Sequence, residues 1–395
     1  MGSIELSSFP VDEPVEVIFL GTGTSSTLPH VDCLTAPPDA KPCKTCLSTL
    51  YPEGKKNIRR NTSCVLRVRG SDGEKKTIVV DVGKSFQPAA IEWFPKYGLR
   101  RIDAVLITHA HADAMNGLDD LRGWTLRGAI QPHVDLYVSM HTFREVQRAF
   151  PYLVSKEFAS GGGDVPEFKW HIIEDKVPFE IENTGIKITP FAVHHGRFFS
   201  SAPPLEFFPT PTSLSPASTN PSTPPDRPST PREELSLIEE PEIRPYLCLG
   251  FVIQDAVIYL SDTSHIPEDV WALFGHSSDG EKTFSKVPPV FILDCLRLQP
   301  HTSHLGLADA VAVARRMGSQ RTYLTGFGHE VAHDEYVTIL ETVGGRRKPS
   351  RKLSPTEQEG LALIDAGEPT WIRPAFDGLR IVVSDDLQAR DDEYC

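Results

Sequence analysis

The chain has 395 residues, enough to bury a large core without help from disulfides. Its formal net charge of −13 argues against non-specific binding of DNA or RNA, because a polyanion is repelled at long range. No run approaches the roughly 18 apolar residues that span a bilayer and MGSIELSSFP lacks the apolar core of a signal peptide, so a cytoplasmic protein without a membrane partner is expected, the nucleus being the alternative compartment.

Taken in order, VEVIFL at 15–20 reads as a strand. It runs into GTGTSS, which could pass for a nucleotide-binding glycine loop. Ser26 stands at the third glycine, however, and Pro29 where the helix would begin, which speaks against a dinucleotide site. Cys33, Cys43 and Cys46 follow as C-x9-C-x2-C on a loop rich in Pro and Asp. Seven cysteines, an odd number without a secretory signal, favour thiol or metal roles over a disulfide framework. No helix start follows a strand here to lower a thiol pKa, so a metal suits the cluster better than a redox pair. Three thiolates and one imidazole would close a tetrahedral structural zinc site. KKNIRR at 55–60, like GRRKPSRK at 345–352, reads as solvated surface charge rather than a phosphate site.

TIVVD at 77–81, AVLITH at 104–109, IKITPFAV at 186–193, AVIYLSD at 256–262 and VFILD at 290–294 are further strands alternating with helical patterns, which implies an α/β protein. Several end at His or Asp, and this gathers polar groups along one rim of a sheet, where ligands bind. Residues 201–245 carry 12 of the 34 prolines with many Ser and Thr, a composition that cannot offset its ordering entropy. They read as a disordered insertion within a single domain at 15–384, because β patterns resume at Leu247; a linker between two domains is the other reading. Residues 1–14 and the acidic residues 385–395 read as tails. Cys64, Cys248 and Cys295 lie in strand-like or apolar runs and read as buried, inert thiols.

The chemistry centres on THAHADA. His109, His111 and Asp113 alternate directly after a strand, so their side chains leave the backbone on one side and can converge on one ion. Imidazole with carboxylate suits zinc, and also manganese or iron. Two or three ligands do not hold a catalytic ion. His195 in AVHHG and Asp262 at the end of AVIYLSD are the candidates to complete a His3Asp site, although either alone reads equally well as an ordinary residue. His194 should face the other way by strand alternation.

The ordered motifs LGTGTSS, VDVG, THAHADA with GLDDLR, HHG, SDT and HTSH resemble those of the metallo-β-lactamase superfamily, in particular its phosphoribosyl cyclic phosphate phosphodiesterases, from about residue 15 to about 335. The resemblance implies a four-layer αββα sandwich with the metal site at the edge between the sheets. It also implies His329 as the fourth ligand of the cysteine site, where the gap between Cys33 and Cys43 is longer than in that pattern. His304 matches the catalytic histidine that would protonate a leaving alkoxide or contact phosphoryl oxygens, with His301 as its near neighbour. Two departures matter. The pattern HxHxDH reaches Ala114, and a later metal-binding His falls at Gly326, so a second metal would keep only Asp113 and a shared Asp262. One tightly bound metal is expected, leaving Asp113 free to orient or deprotonate water; in the alternative, His329 or His333 rebuilds the second site.

A metal so held lowers the pKa of bound water and polarises the oxygen it touches. The leading expectation is therefore a phosphodiesterase acting on a small or cyclic phosphate ester, with one structural and one catalytic Zn2+, and Mn2+ or Fe2+ as substitutes at the catalytic position. The rivals are a thioester or lactone hydrolase and a non-catalytic metal-binding protein of the same fold.

Overall fold

The computed structural model describes residues 14–198, 244–275, 288–346 and 350–394. Strands β1 (Val15–Gly21), β2 (Ser63–Arg69), β3 (Lys75–Val80), β4 (Ala104–Leu106), β5 (Val134–Val138) and β6 (Phe168–Ile172) come first. They are followed by β7 (Phe179–Glu180), β8 (Lys187–Arg197), β9 (Pro245–Ile253), β10 (Val257–Leu260), β11 (Val290–Asp294), β12 (Arg321–Thr325) and β13 (Ile372–Pro374), then β14 (Arg380–Val383) and β15 (Ala389–Asp391). One sheet has the order β15-β14-β1-β2-β3-β4-β5-β6 and the other β13-β12-β11-β10-β9-β8-β7.

Strand alternation builds the layers. Val15, Val17 and Phe19 of β1 meet Tyr259, Ile292 and Tyr323 of the other sheet in a shared core. Ile18 and Leu20 point outward onto Phe86, Trp93 and Phe94 of the helix Phe86–Lys96. In the second sheet Ile258, Leu260, Phe291 and Leu293 pack outward against Val311, Ala314, Ile339 and Leu340 of the helices Leu307–Met317 and His333–Val343. A strand covered on both faces reads as an almost unbroken apolar run. Helix, sheet, sheet, helix is the four-layer αββα sandwich.

Strands β3, β4, β5 and β6 pair in parallel, as do β10, β11, β12 and β13. Parallel strands end on a common edge, so the residues just beyond β4, β10 and β11 are gathered there. Strands β8 and β9 are antiparallel neighbours in register from Ile188↔Ile253 to His194↔Leu247, so the 201–245 segment joins two adjacent strands. All of it except Arg244 and Pro245 lies outside the described residues, as do residues 1–13.

Two expectations are corrected. Within 385–394 the chain is not a tail: β15 pairs with β14 through Ile381↔Asp391, and Asp391 accepts from Tyr323 Oη at 2.6 Å and from Arg321. The Tyr394 hydroxyl donates to the Pro374 carbonyl at 2.7 Å and lies 3.0 Å from His333 Nε2. Acids that look solvated in composition are here paired in structure. KKNIRR is not all surface charge either, because Arg59 is only 1% exposed. It donates to the carbonyls of Val331 (3.0 Å) and Gly328 and lies over the Phe327 ring, 5.2 Å from its centroid. No helix among the described residues is long and apolar enough to cross a membrane.

Candidate metal centre and active site

His109 follows β4 and is 2% exposed. Thr108 anchors it: its amide and hydroxyl donate to the two carboxylate oxygens of Asp81, each at 2.8 Å, and the same hydroxyl accepts from His109 Nδ1 at 2.8 Å. That bond leaves Nε2 as the free lone pair, the form in which imidazole binds a metal. Among the described residues His109 Nε2 is buried without a hydrogen-bond partner. A buried acceptor left so costs about 1–3 kcal/mol, and a cation satisfies it. Burial above all, with His195 and His111 adding, pushes the His109 pKa well below its ordinary value against the pull of Asp262, so the ring is neutral.

His195 arrives from β8, where a register shift separates His194 from Arg197. Gly196 makes this possible: its φ of +72° is left-handed, and a Cβ there would sit 3.0 Å from Ser303 Cβ. His195 Nδ1 donates to the Ser303 carbonyl at 2.8 Å, which turns Nε2 toward His111 Nδ1, 3.2 Å away. His194 turns away to lie beside His265, ring centroids 5.2 Å apart. His111, exposed at the mouth, stacks flat on Tyr246 at 4.6 Å. The ligand atoms of His109, His111 and His195 all lie within 4.8 Å of one another.

His195 also belongs to a second group, with Asp262 and His304. Burial raises the Asp262 pKa, but His109, His195 and His304 outweigh it and hold the carboxyl below its ordinary value, ionised at neutral pH. His304 Nδ1 lies 3.2 Å from each oxygen of Asp294, which is fully buried and also accepts from Leu305 N at 3.0 Å. Burial acts to lower the His304 pKa, yet Asp294, Asp262 and Asp113 together raise it to about 9. His301 lies outside this pairing, exposed and bonded to Ser303 at 3.0 Å.

Asp113 stands apart from both groups of converging donors. Its Oδ2 accepts from Ser25 Oγ at 2.6 Å, and its Oδ1 is buried without a partner. Neither candidate histidine rebuilds a second half-site: His329 lies among the cysteines and His333 against Tyr394. At Gly326 the backbone is left-handed (φ +83°), and a Cβ would come within 2.7 Å of Asp294 Oδ1, so the carboxylate that serves His304 packs where a side chain would begin.

The cysteine cluster closes. Cys33, Cys43 and Cys46 sulfurs and a ring nitrogen of His329 all lie within 4.8 Å of one another, with His329 Nδ1 at 3.2, 3.7 and 3.7 Å from the three sulfurs. Despite the long gap to Cys43, Cys33 is the nearest. The amides of His30 and Cys46 donate to Cys46 and Cys43 sulfurs at 3.4 and 3.5 Å. Burial, then the neighbouring sulfurs, push the Cys33 thiol up to about 12, and a bound cation reverses that. Three thiolates and an imidazole are a donor set for tetrahedral zinc.

Thr108, Asp81, Ser303, Asp294, Ser25 and Tyr246 join the site without a role foreseen from the sequence. Asp81 and Asp294 each carried a signal, a carboxylate ending an apolar run, TIVVD and VFILD respectively.

A family model for the beta-lactamase superfamily domain matches residues 76–206, the stretch that holds His109, His111, Asp113 and His195. An octanoyltransferase of Porphyromonas gingivalis (strain ATCC BAA-308 / W83) is 28% identical over 182 residues, 46% of this chain and 31% of that protein, so the chain spans less than a third of that relative's length. The crystal structure of a new diphosphatase from the PhnP family aligns with 93% of this chain and 96% of that one, at 22% identity and a TM-score of 0.56; this likeness shows a shared fold. The human short-form tRNase Z aligns with 93% of this chain and 98% of its own, at 14% identity and a TM-score of 0.45.

Proposed function

We propose, from the premise that this chain has the metallo-β-lactamase fold and that its residues 76–206 belong to the beta-lactamase superfamily, that it is a metal-dependent phosphodiesterase acting on a small or cyclic phosphate ester. His109, His111 and His195, with Asp262 beside them, would hold the divalent ion, zinc with manganese or iron as substitutes. When bound, such an ion supplies Lewis acidity that polarises a phosphoryl or acyl oxygen and lowers the pKa of water. The chain's own residues supply the rest. Thr108 and the Ser303 carbonyl hold the Nδ1 protons of His109 and His195, so both rings present Nε2 inward. Asp113, gripped by Ser25 on one oxygen, keeps the other to orient water or accept its proton. Asp294 keeps His304 protonated, ready to give a proton to the leaving alkoxide. Cys33, Cys43, Cys46 and His329 would hold a structural zinc.

The observation that favours phosphate over acyl chemistry is the pairing of His304, half-buried, with the buried carboxylate of Asp294. An imidazolium fixed beside the ligand set attracts an anionic ester, whereas a neutral acyl ester has no such charge to meet. The partial match to an octanoyltransferase supports a second reading, a thioester or lactone hydrolase. The metal-loaded chain should cleave bis(p-nitrophenyl) phosphate, with no turnover in His109→Ala and about 10²–10⁴-fold less in His304→Ala. A loaded chain that leaves this ester intact and opens an octanoyl thioester overturns the phosphodiester reading in favour of the acyl one. Turnover of neither leaves a non-catalytic binding protein.

A further inference from the structure

Strands β6 and β7 are the outermost strands of their respective sheets, and the side chains that meet there belong to neither donor set above. His133 and Asp135 lie two residues apart at the start of β5, followed at the same spacing by Tyr137, so all three share one face. The register opposes Asp135 to Lys169 and Tyr137 to His171 of β6. Glu182 comes from the other sheet, just after β7.

The groups converge tightly. His171 Nε2 is 2.7 Å from Asp135 Oδ1 and 3.7 Å from Glu182 Oε2, and ligand atoms of Asp135, His171 and Glu182 all lie within 4.8 Å of one another. His133 Nε2 is 3.5 Å from the other oxygen of Asp135. Their orientations are fixed from behind. The His171 ring stacks on Tyr137 at 4.3 Å and 8°, and Tyr137 on Phe179 of β7 at 5.0 Å and 15°. The Glu182 amide donates to the Tyr137 hydroxyl at 2.9 Å. One tyrosine therefore contacts both the imidazole of one sheet and the main chain that carries Glu182 in the other. The present cation on Glu182 is the Lys169 ammonium, a single charge that a divalent ion would displace.

We propose that Asp135, His171 and Glu182, with His133 as the fourth donor, form a site for a divalent transition-metal ion such as Zn2+ that clips the two sheets together. The mix of imidazole and carboxylate suits zinc or nickel rather than calcium or magnesium, which take mostly oxygen ligands. The donor side chains are partly exposed, from 17% for Asp135 to 45% for His133, so the ion exchanges with solvent and reports its concentration. The site does not depend on the catalytic reading.

The test uses the full chain, metal-loaded and freed of excess ion, titrated with Zn2+ against a competing dye. Wild type should take up one further equivalent and gain melting temperature on doing so. His171→Ala and Asp135→Asn should bind that equivalent about tenfold or more weakly and show no zinc-dependent rise, with turnover of bis(p-nitrophenyl) phosphate unchanged. Glu182→Gln keeps the side-chain shape and serves if His171→Ala fails to fold. No further equivalent in wild type, or one retained in all three variants, overturns the proposal. Failure of wild type to turn over the ester bears on the catalytic reading alone.

Discussion

His333 is 6% exposed at the head of its helix, its amide donating to Asn57 Oδ1 at 2.7 Å and its Nε2 donating to Tyr394. Burial, with the nearby charges of Arg59 and Lys56, pushes its pKa well below the ordinary value. An unfolded histidine titrates near 6.5, so on acidification the unfolded chain binds a proton that the folded chain refuses. Stability from this residue is therefore intact above that pH and falls below about pH 6.5 by up to ~1.4 kcal/mol per unit. Urea midpoints at pH 7 and pH 5 should fall further apart in wild type than in His333→Gln; equal separations would mean that His333 takes up its proton without unfolding. At this scale the sequence was legible where a residue's own spacing or its place at the end of an apolar run marks it. His109 and His111 announce themselves by spacing, and His195 and Asp262 by ending apolar runs. The Asp294–His304 pair did not, because the loop between them must fold back before the two meet. Arg59 was unreadable as a core residue since, besides Asn57, its partners are main-chain carbonyls 269 and 272 residues away, which carry no sequence signature.

The turn after β12 places backbone, and no ligand side chain, at the position where the resemblance puts a later metal-binding histidine. Gly326 donates its amide to Thr22 O at 3.0 Å, Phe327 does the same, and the left-handed φ at Gly326 brings the backbone against Asp294. Gly326→Ala should cost about 1–2 kcal/mol from the backbone conformation alone, with displacement of Asp294 added, and lower the melting temperature accordingly. Gly326→His should bind no more metal than wild type; an added equivalent would show that the turn tolerates a ligand. The strands that the sequence revealed include β1, β3, β10 and β11, apolar runs buried over most of their length, and β8, in which buried residues alternate with partly exposed ones. β6 (FKWHI) and β7 stayed hidden because edge strands mix polar and apolar residues on partly exposed faces, whereas the run expected at 104–109 is a strand over Ala104–Leu106.

For the whole molecule, the order of motifs implied the four-layer sandwich, since no local pattern encodes which sheet faces which. The C-terminal hairpin was misjudged for the same reason: its acids look solvated until Arg321, Tyr323 and the strand β14 are placed beside them. A chain ending at Ser384 would expose the β14 edge and leave the half-buried Arg321 and the buried Tyr323 hydroxyl without Asp391, losses of about 1 kcal/mol or more each. Its melting temperature should drop and its tendency to associate should rise; an unchanged melting curve would restore the reading of a tail. The cysteine loop has a temporal side as well. Its imidazole lies 296 residues after Cys33, so during translation at the usual 5–20 residues per second the thiols leave the ribosome about 15–60 s before His329. On the proposed structural-zinc reading, the nascent chain carries an incomplete coordination set open to oxidants and foreign ions throughout that interval, and sealing of the amino-terminal loop is a late step in maturation.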